Sequence, residues 1–163
     1  MGDERPETLR LRPAEPADAS FQRALFDARR GGLLRLSGLP EPALAGLLEM
    51  QHRARGRSYR EAFPDARWLI VERDGEAVGE LILCAAPDGL HVVDVTLRPD
   101  RQRQGLGPAL LRAVMAESAP HGGVRAFVAV DNAPSRKMFA RLGFVERACG
   151  DGANVEVFWR AEV

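Results

Sequence analysis

Several things are scarce in this sequence, and each scarcity removes a class of function. There is one lysine, Lys137, one tyrosine, Tyr59, and no net charge, with 23 basic residues against 23 acidic ones. A charge-balanced chain does not make a nucleic-acid platform, because binding a phosphate backbone needs a basic surface. The excess of arginine over lysine reads as codon bias and carries no functional content. Only two cysteines occur, Cys84 and Cys149. They have no metal-ligand spacing and form no disulfide framework, so each is expected to be a small core residue, and no metal site is expected. No apolar run approaches the roughly 20 residues that cross a bilayer. The opening stretch "MGDERPETLRLRP" lacks the apolar segment of a secretory leader, so a cytoplasmic location is expected. The P-loop pattern G-x-x-x-x-G-K-[ST] is absent, which excludes that class of nucleotide hydrolase.

What is present suits one α/β domain over residues 1–163, with a hydrophobic fraction of 45% and a charged fraction of 28%. "TLRLRP" alternates and reads as a strand. Phe21, Leu25 and Phe26 recur at helical spacing until "LLRLSGLP" breaks the pattern at its glycine and proline. Leu44, Leu47, Leu48 and Gln51 then line one side of a second helix, whose tail and following loop lie in "GRSYREAFPDA". "RWLIVERDGEAVGELILCA" is a hairpin about Asp74-Gly75, a preferred pair for a tight turn. "GLHVVDVTL" gives a further strand. A helix to about Ser118, the strand "VRAFVAV", the helix "NAPSRKMFARL", and two strands around "GDG" complete the chain. The expected order is β-α-α-β-β-β-α-β-α-β-β, with a mixed, mostly antiparallel sheet flanked by helices.

Between the third strand of the central group and the next helix stands "RQRQGLGPALL". Gly105 and Gly107 free the backbone and remove side chains that would block a ligand. Leu110, Leu111, Val114 and Met115 then fall on one helical face. Helix N-termini carry unbonded N–H groups and about half a positive charge, so the stretch reads as an anion cradle, suited to a phosphate. A dinucleotide-binding reading fails here, since Leu110 stands where a third glycine belongs and a hairpin precedes the loop.

The motif Gln102-Arg103-Gln104-Gly105-Leu106-Gly107, preceded by "VVDVTLRP" and followed by "DNAPSRKMFARLGF", resembles the GNAT superfamily of acetyl-CoA-dependent N-acetyltransferases. The likeness covers residues 66–160 well and the first 65 residues only by element order. It implies that acetyl-CoA (coenzyme A) is the cofactor and that the amine of a small molecule or protein is the acceptor, with no nucleic acid or membrane involved. Homodimers are common in the family, and no residue pattern here specifies one. The resemblance places the cofactor's diphosphate on the N–H groups of Arg103, Gln104, Gly105, Leu106 and Gly107. It places the pantetheine arm along the backbone of Val95 and Leu97. Arg98, Arg101 and Arg103 are phosphate contacts or solvated surface. Pro108 removes one donor, and proline suits the first helical position.

Transfer to an amine needs a base, and the resemblance offers Asp94 and His91, which strand alternation puts on opposite faces. His91 reads equally as a surface residue after "PDG", and Asp94 as a hydrogen-bonded structural carboxylate. The position where relatives carry a tyrosine acid holds Phe139, which has no proton to give. Ser135, four residues earlier on the same face, is either a substitute acid or a helix-start residue. Asn132 contacts the cofactor arm or caps the helix, and Tyr59 packs. Acidic residues such as Glu80 and Asp94 point weakly to a cationic acceptor, although strand charges usually face solvent. The rival to a transferase is a non-catalytic acyl-CoA-binding or sensory module on the same fold.

Overall fold

Asp74 and Gly75 both take left-handed φ, 51° and 82°, which lets a two-residue turn follow the twist of its strands. That turn joins β2 (Arg67–Arg73) to β3 (Glu76–Ala86) in a computed structural model that describes residues 8–162. Among these residues the order is β1 (Leu9–Pro13), α1 (Ala19–Arg35), α2 (Glu41–Ala62), β2, β3, β4 (Gly89–Leu97), α3 (Leu106–Ser118), β5 (Gly123–Ala129), α4 (Ala133–Arg141), β6 (Val145–Ala148) and β7 (Asn154–Arg160). This is the order expected from the sequence. One mixed sheet holds the strands in the sequence β1-β2-β3-β4-β5-β7-β6. β4 and β5 run parallel, whereas β1–β2, β5–β7 and β6–β7 are antiparallel. The fold class is α/β.

The chain forms two compact units, the first drawn from Met1–Leu81 with Val95–Gln102 and the second from Ile82–Asp94 with Arg103–Val163. In the first, β1 pairs with β2 from Leu9↔Arg73 to Pro13↔Leu69. Arg12 ties that edge down, with Nε donating to Glu72 at 2.7 Å and its two terminal nitrogens donating to Asp18 at 2.8 Å. Hydrogen bonds from Arg12 hold the Asp18 carboxyl down at about 2. Phe26 of α1 packs with Leu44 and Leu48 of α2. α1 ends before Gly38, which takes a left-handed φ of 73°, and Pro40, the N-cap of α2, and α2 continues through the whole "GRSYREA" stretch to Ala62.

In the second unit α3 buries Leu106, Leu110, Leu111 and Val114, and β5 buries Val124, Ala126 and Val128. Each of these leucines and valines contributes about 1.5–3 kcal/mol, which outweighs the roughly 1 kcal/mol lost by placing Gly107 in the helix. β5 pairs with β7 along its full length, from Gly123↔Arg160 to Ala129↔Asn154. Its ladder with β4 has three pairs and stops at Val92↔Ala126, although β4 runs on to Leu97. The cysteines depart from expectation. Both are half-buried, Cys84 near the end of β3 with its thiol donating to the Ala85 carbonyl, and Cys149 in the β6–β7 connection.

Candidate active site

The loop before α3 gets its shape from two residues with positive φ, Arg103 at 60° and Gly105 at 76°. Gly105 is the N-cap, and no side chain caps the helix. The first bond of the helix runs from the Ala109 N–H to the Gly105 carbonyl. The N–H groups of Gly105, Leu106 and Gly107 come before it and so have no helical acceptor. A side chain on Gly105 would meet nothing within 4 Å, so the space beside the loop is open.

Three details correct the sequence reading. Gly107 has an ordinary helical φ, and a Cβ there would lie 3.0 Å from the Met138 sulfur, so this glycine serves the approach of α4 to α3. Pro108 is the third helical residue, still within the turn where a missing N–H breaks no helical bond. Arg98 and Arg101 are committed elsewhere. Arg98 pairs with Glu76 at 2.6 Å and Asp100 at 2.7 Å, and Arg101 pairs with Glu76 at 2.6 Å. Arg103 is exposed and enters none of these ion pairs. An exposed arginine, three consecutive N–H groups and open space fit a diphosphate.

The edge of β4 follows from one bond. The Arg98 N–H donates to the Val78 carbonyl of β3 at 2.8 Å, and a Cβ on Gly79 of β3 would lie 2.6 Å from the Thr96 carbonyl oxygen. Backbone polar groups of alternate strand residues point to opposite edges. Val95 and Leu97 therefore direct theirs away from β3, past the end of the β4–β5 ladder. On that edge the Leu97 carbonyl accepts from Gln102 Nε2 at 3.3 Å.

His91 is not a surface residue. It is 7% exposed, lies opposite Arg125 in the ladder, and packs edge-on against Phe127 at 5.5 Å. Burial lowers its pKa below the usual histidine value; the Arg125 charge adds to that shift and Glu156 opposes it. Asp94 is half-buried, two residues beyond the last ladder pair. Asn132 is the N-cap of α4, its side-chain oxygen accepting the Ser135 N–H at 3.2 Å. Ser135 is half-buried, and Phe139 is buried against Phe144 with ring centroids 4.9 Å apart.

Within the first unit, α1, α2, β3 and β4 contribute the wall of a cavity of about 430 Å³. Glu80 of β3 is 4% exposed, against the expectation that strand charges face solvent. Gln22 Nε2 donates to it at 2.5 Å, and an Arg55 nitrogen lies 3.4 Å from its other oxygen. The Arg55 guanidinium also sits 5.0 Å over the Tyr59 ring, so the one tyrosine lines a cavity as well as packing. Sequence reasoning missed Gln22, Arg29, Arg55 and Tyr59. Their one shared signal is helical spacing, since Gln22 and Arg29 are seven residues apart on α1 and Arg55 and Tyr59 four apart on α2.

The acetyltransferase (GNAT) family model matches residues 39–144. The chain belongs to the GNAT family. GNAT proteins use acetyl-CoA, and the loop before α3 suits its diphosphate. The same fold recurs in the crystal structure of an acetyltransferase from Thermus thermophilus, with a TM-score of 0.69 and 22% identity over 94% of this chain and 97% of that one. It recurs in the PaiA N-acetyltransferase of Thermoplasma acidophilum, solved with coenzyme A, with a TM-score of 0.63 and 15% identity over 94% and 99%. A Bacillus subtilis acetyltransferase, also solved with CoA, aligns with a TM-score of 0.65 and 12% identity over 95% and 100%. No helix among the described residues of this GNAT protein is long and apolar enough to cross a membrane.

Proposed function

We propose that the chain is a single cytoplasmic acetyltransferase domain that moves an acetyl group from acetyl-CoA directly to an amine. The observation that carries this reading is the loop from Arg103 to Gly107, whose N–H groups, with that of Gln104, would hold the diphosphate while Arg103 adds a charge. Val95 and Leu97 offer the next backbone groups to an extended arm, which would pair as an added strand does. The Asn132 oxygen is spent on the α4 cap, and its amide nitrogen remains to donate to that arm. Acetyl-CoA supplies an activated acetyl group and a leaving sulfur, its parent thiol having a pKa near about 8.5.

Asp94 takes the amine's proton in this scheme. It lies two residues beyond the last β4–β5 pair, whereas His91 is enclosed by Phe127 and the ladder and acts structurally. An amine with pKa near about 10.4 is almost wholly protonated at neutral pH, so proton removal is part of the work. In this reading the backbone N–H of Val95 polarises the thioester carbonyl. Phe139 belongs to the core, and the Ser135 hydroxyl, one turn earlier on α4, is the proton donor assigned to the departing sulfur.

Calorimetry with coenzyme A and release of free thiol from acetyl-CoA across an amine panel test the reading. Asp94→Asn is expected to lower turnover by about 10² to 10⁴ while CoA affinity holds. Association without turnover on any amine favours a non-catalytic acyl-CoA-binding module, and absence of association ends the proposal.

A further inference from the structure

The cavity beside α1 and α2 carries a charge pattern that bears on the acceptor, on the premise of the transferase reading above. Its wall presents three guanidinium groups, Arg29, Arg30 and Arg55, against one carboxylate, Glu80. Arg29 is steadied by a hydrogen bond to the Thr96 hydroxyl at 3.2 Å, and Arg55 by Glu80 and the Tyr59 ring. A carboxylate has about four lone-pair sites. With Gln22 on one oxygen and Arg55 on the other, Glu80 keeps room to accept from an ammonium group. Leu25, Phe26 and Ala54 give the cavity an apolar side.

A plain cationic amine entering here meets more like charge than opposite charge, which reverses the expectation drawn from Glu80 and Asp94 alone. A compound of both signs satisfies the whole wall. Its ammonium faces Glu80, and its carboxylate faces Arg29 and Arg30, whose planar forks match two carboxylate oxygens. We propose that the acceptor is a small zwitterion of the free α-amino acid type with an apolar side chain. In the transfer the bound ammonium first gives one proton to the base; the amine nitrogen then bonds to the acetyl carbon and loses its second proton, which ends on the departing sulfur. The carbon–sulfur bond breaks with its electron pair on sulfur. The product keeps its carboxylate and has lost its positive charge, so Glu80 no longer holds it and release follows.

The test compares L-leucine, L-methionine and L-phenylalanine with their methyl esters, which differ by the carboxylate alone. Binding is read by calorimetry and acetylation by thiol release from acetyl-CoA. Ester amines are less basic, so turnover is biased against the proposal. The acids are expected to bind at least about tenfold better than the esters. Arg29→Met with Arg30→Met is expected to bring acid and ester to parity while CoA affinity stays unchanged. Should that pair fail to fold, Arg30→Met alone, exposed on α1, makes the same comparison. Parity in the unaltered protein, or binding of neither form across the set, overturns the acceptor assignment and leaves the CoA titration standing. Failure of coenzyme A itself to bind is a separate readout that removes the transferase reading and this one with it.

Discussion

The two units of the chain present recognition surfaces of opposite kinds. The second, with α3 and its loop, offers main-chain N–H groups exposed by a left-handed glycine, and it works by what side chains leave out. The first, with α1 and α2, offers charged side chains that are already braced by neighbouring groups, as Arg55 is by Glu80 and Arg29 by the Thr96 hydroxyl. Main-chain recognition suits a ligand group that is the same in every turnover, because almost any sequence with the right backbone can supply it. Side-chain recognition suits a group that differs between proteins of one family. The contrast implies that substitutions adding a Cβ will hurt the second unit most, and substitutions removing side chains the first.

The sharpest way to break that contrast is at the start of β4. Gly89 has φ 140°, and a Cβ there would lie 2.0 Å from the Gly123 carbonyl oxygen. Real Cβ contacts do not come that close, so β4 and β5 must part where they are now pressed together. Gly89→Ala is expected to destabilise the fold by on the order of 3–5 kcal/mol, read as a shift of the denaturant midpoint. In the first unit the matching loss needs a deletion, and Leu44→Ala in the α1–α2 cluster costs about 2–5 kcal/mol. A Gly89→Ala protein as stable as the parent would show that the pinch has no energetic weight.

The phosphate loop allows a finer comparison between two neighbouring glycines. Gly105 sits at φ 76° with open space around it, so alanine there meets backbone strain of about 1–2 kcal/mol and no clash. The strain relaxes by turning the loop, and CoA affinity is expected to fall about tenfold. Gly107 has helical φ and faces the flexible end of Met138. Gly107→Ala gains up to about 1 kcal/mol of helix propensity, partly offset by that contact, and should leave CoA affinity within about twofold. Calorimetry on the two variants decides the matter, and equal losses would mean that φ at 105 does not shape the site.

The same division explains what could be read from the sequence. The hairpin, the strand–loop–helix around Gly105 and the order of elements were legible because glycine positions and hydrophobic periodicity act locally. The Asn132 cap stood in the sequence only as the alternative to a contact with the cofactor arm, because a local pattern does not say which of the two a residue before a helix will serve. His91 was misread because its burial comes from Phe127 and Arg125, more than 30 residues away, and no local pattern announces a cross-strand ring. The burial of Glu80 on β3 is not legible locally because its partners, Gln22 and Arg55, lie on two helices distant in sequence. Arg98 and Arg101 read as phosphate contacts or solvated surface, and nothing local announces that Glu76, more than 20 residues earlier at the start of β3, pairs with both.

That last pair gives the smallest and most discriminating measurement. Arg101 is bound to Glu76 at 2.6 Å, while Arg103, two residues on, is exposed and directed by a φ of 60° that non-glycine residues seldom adopt. If the loop holds a diphosphate, Arg103→Ala removes one exposed charge-assisted contact and weakens CoA binding about threefold to tenfold. The loss should shrink as salt rises, since ions screen an exposed pair within about 10 Å at moderate ionic strength. Arg101→Ala should leave CoA affinity unchanged and alter stability by no more than about 1 kcal/mol, the ordinary worth of a surface ion pair. An equal loss from both substitutions, insensitive to salt, would place the phosphates nearer the Glu76 cluster and take Arg103 out of the site.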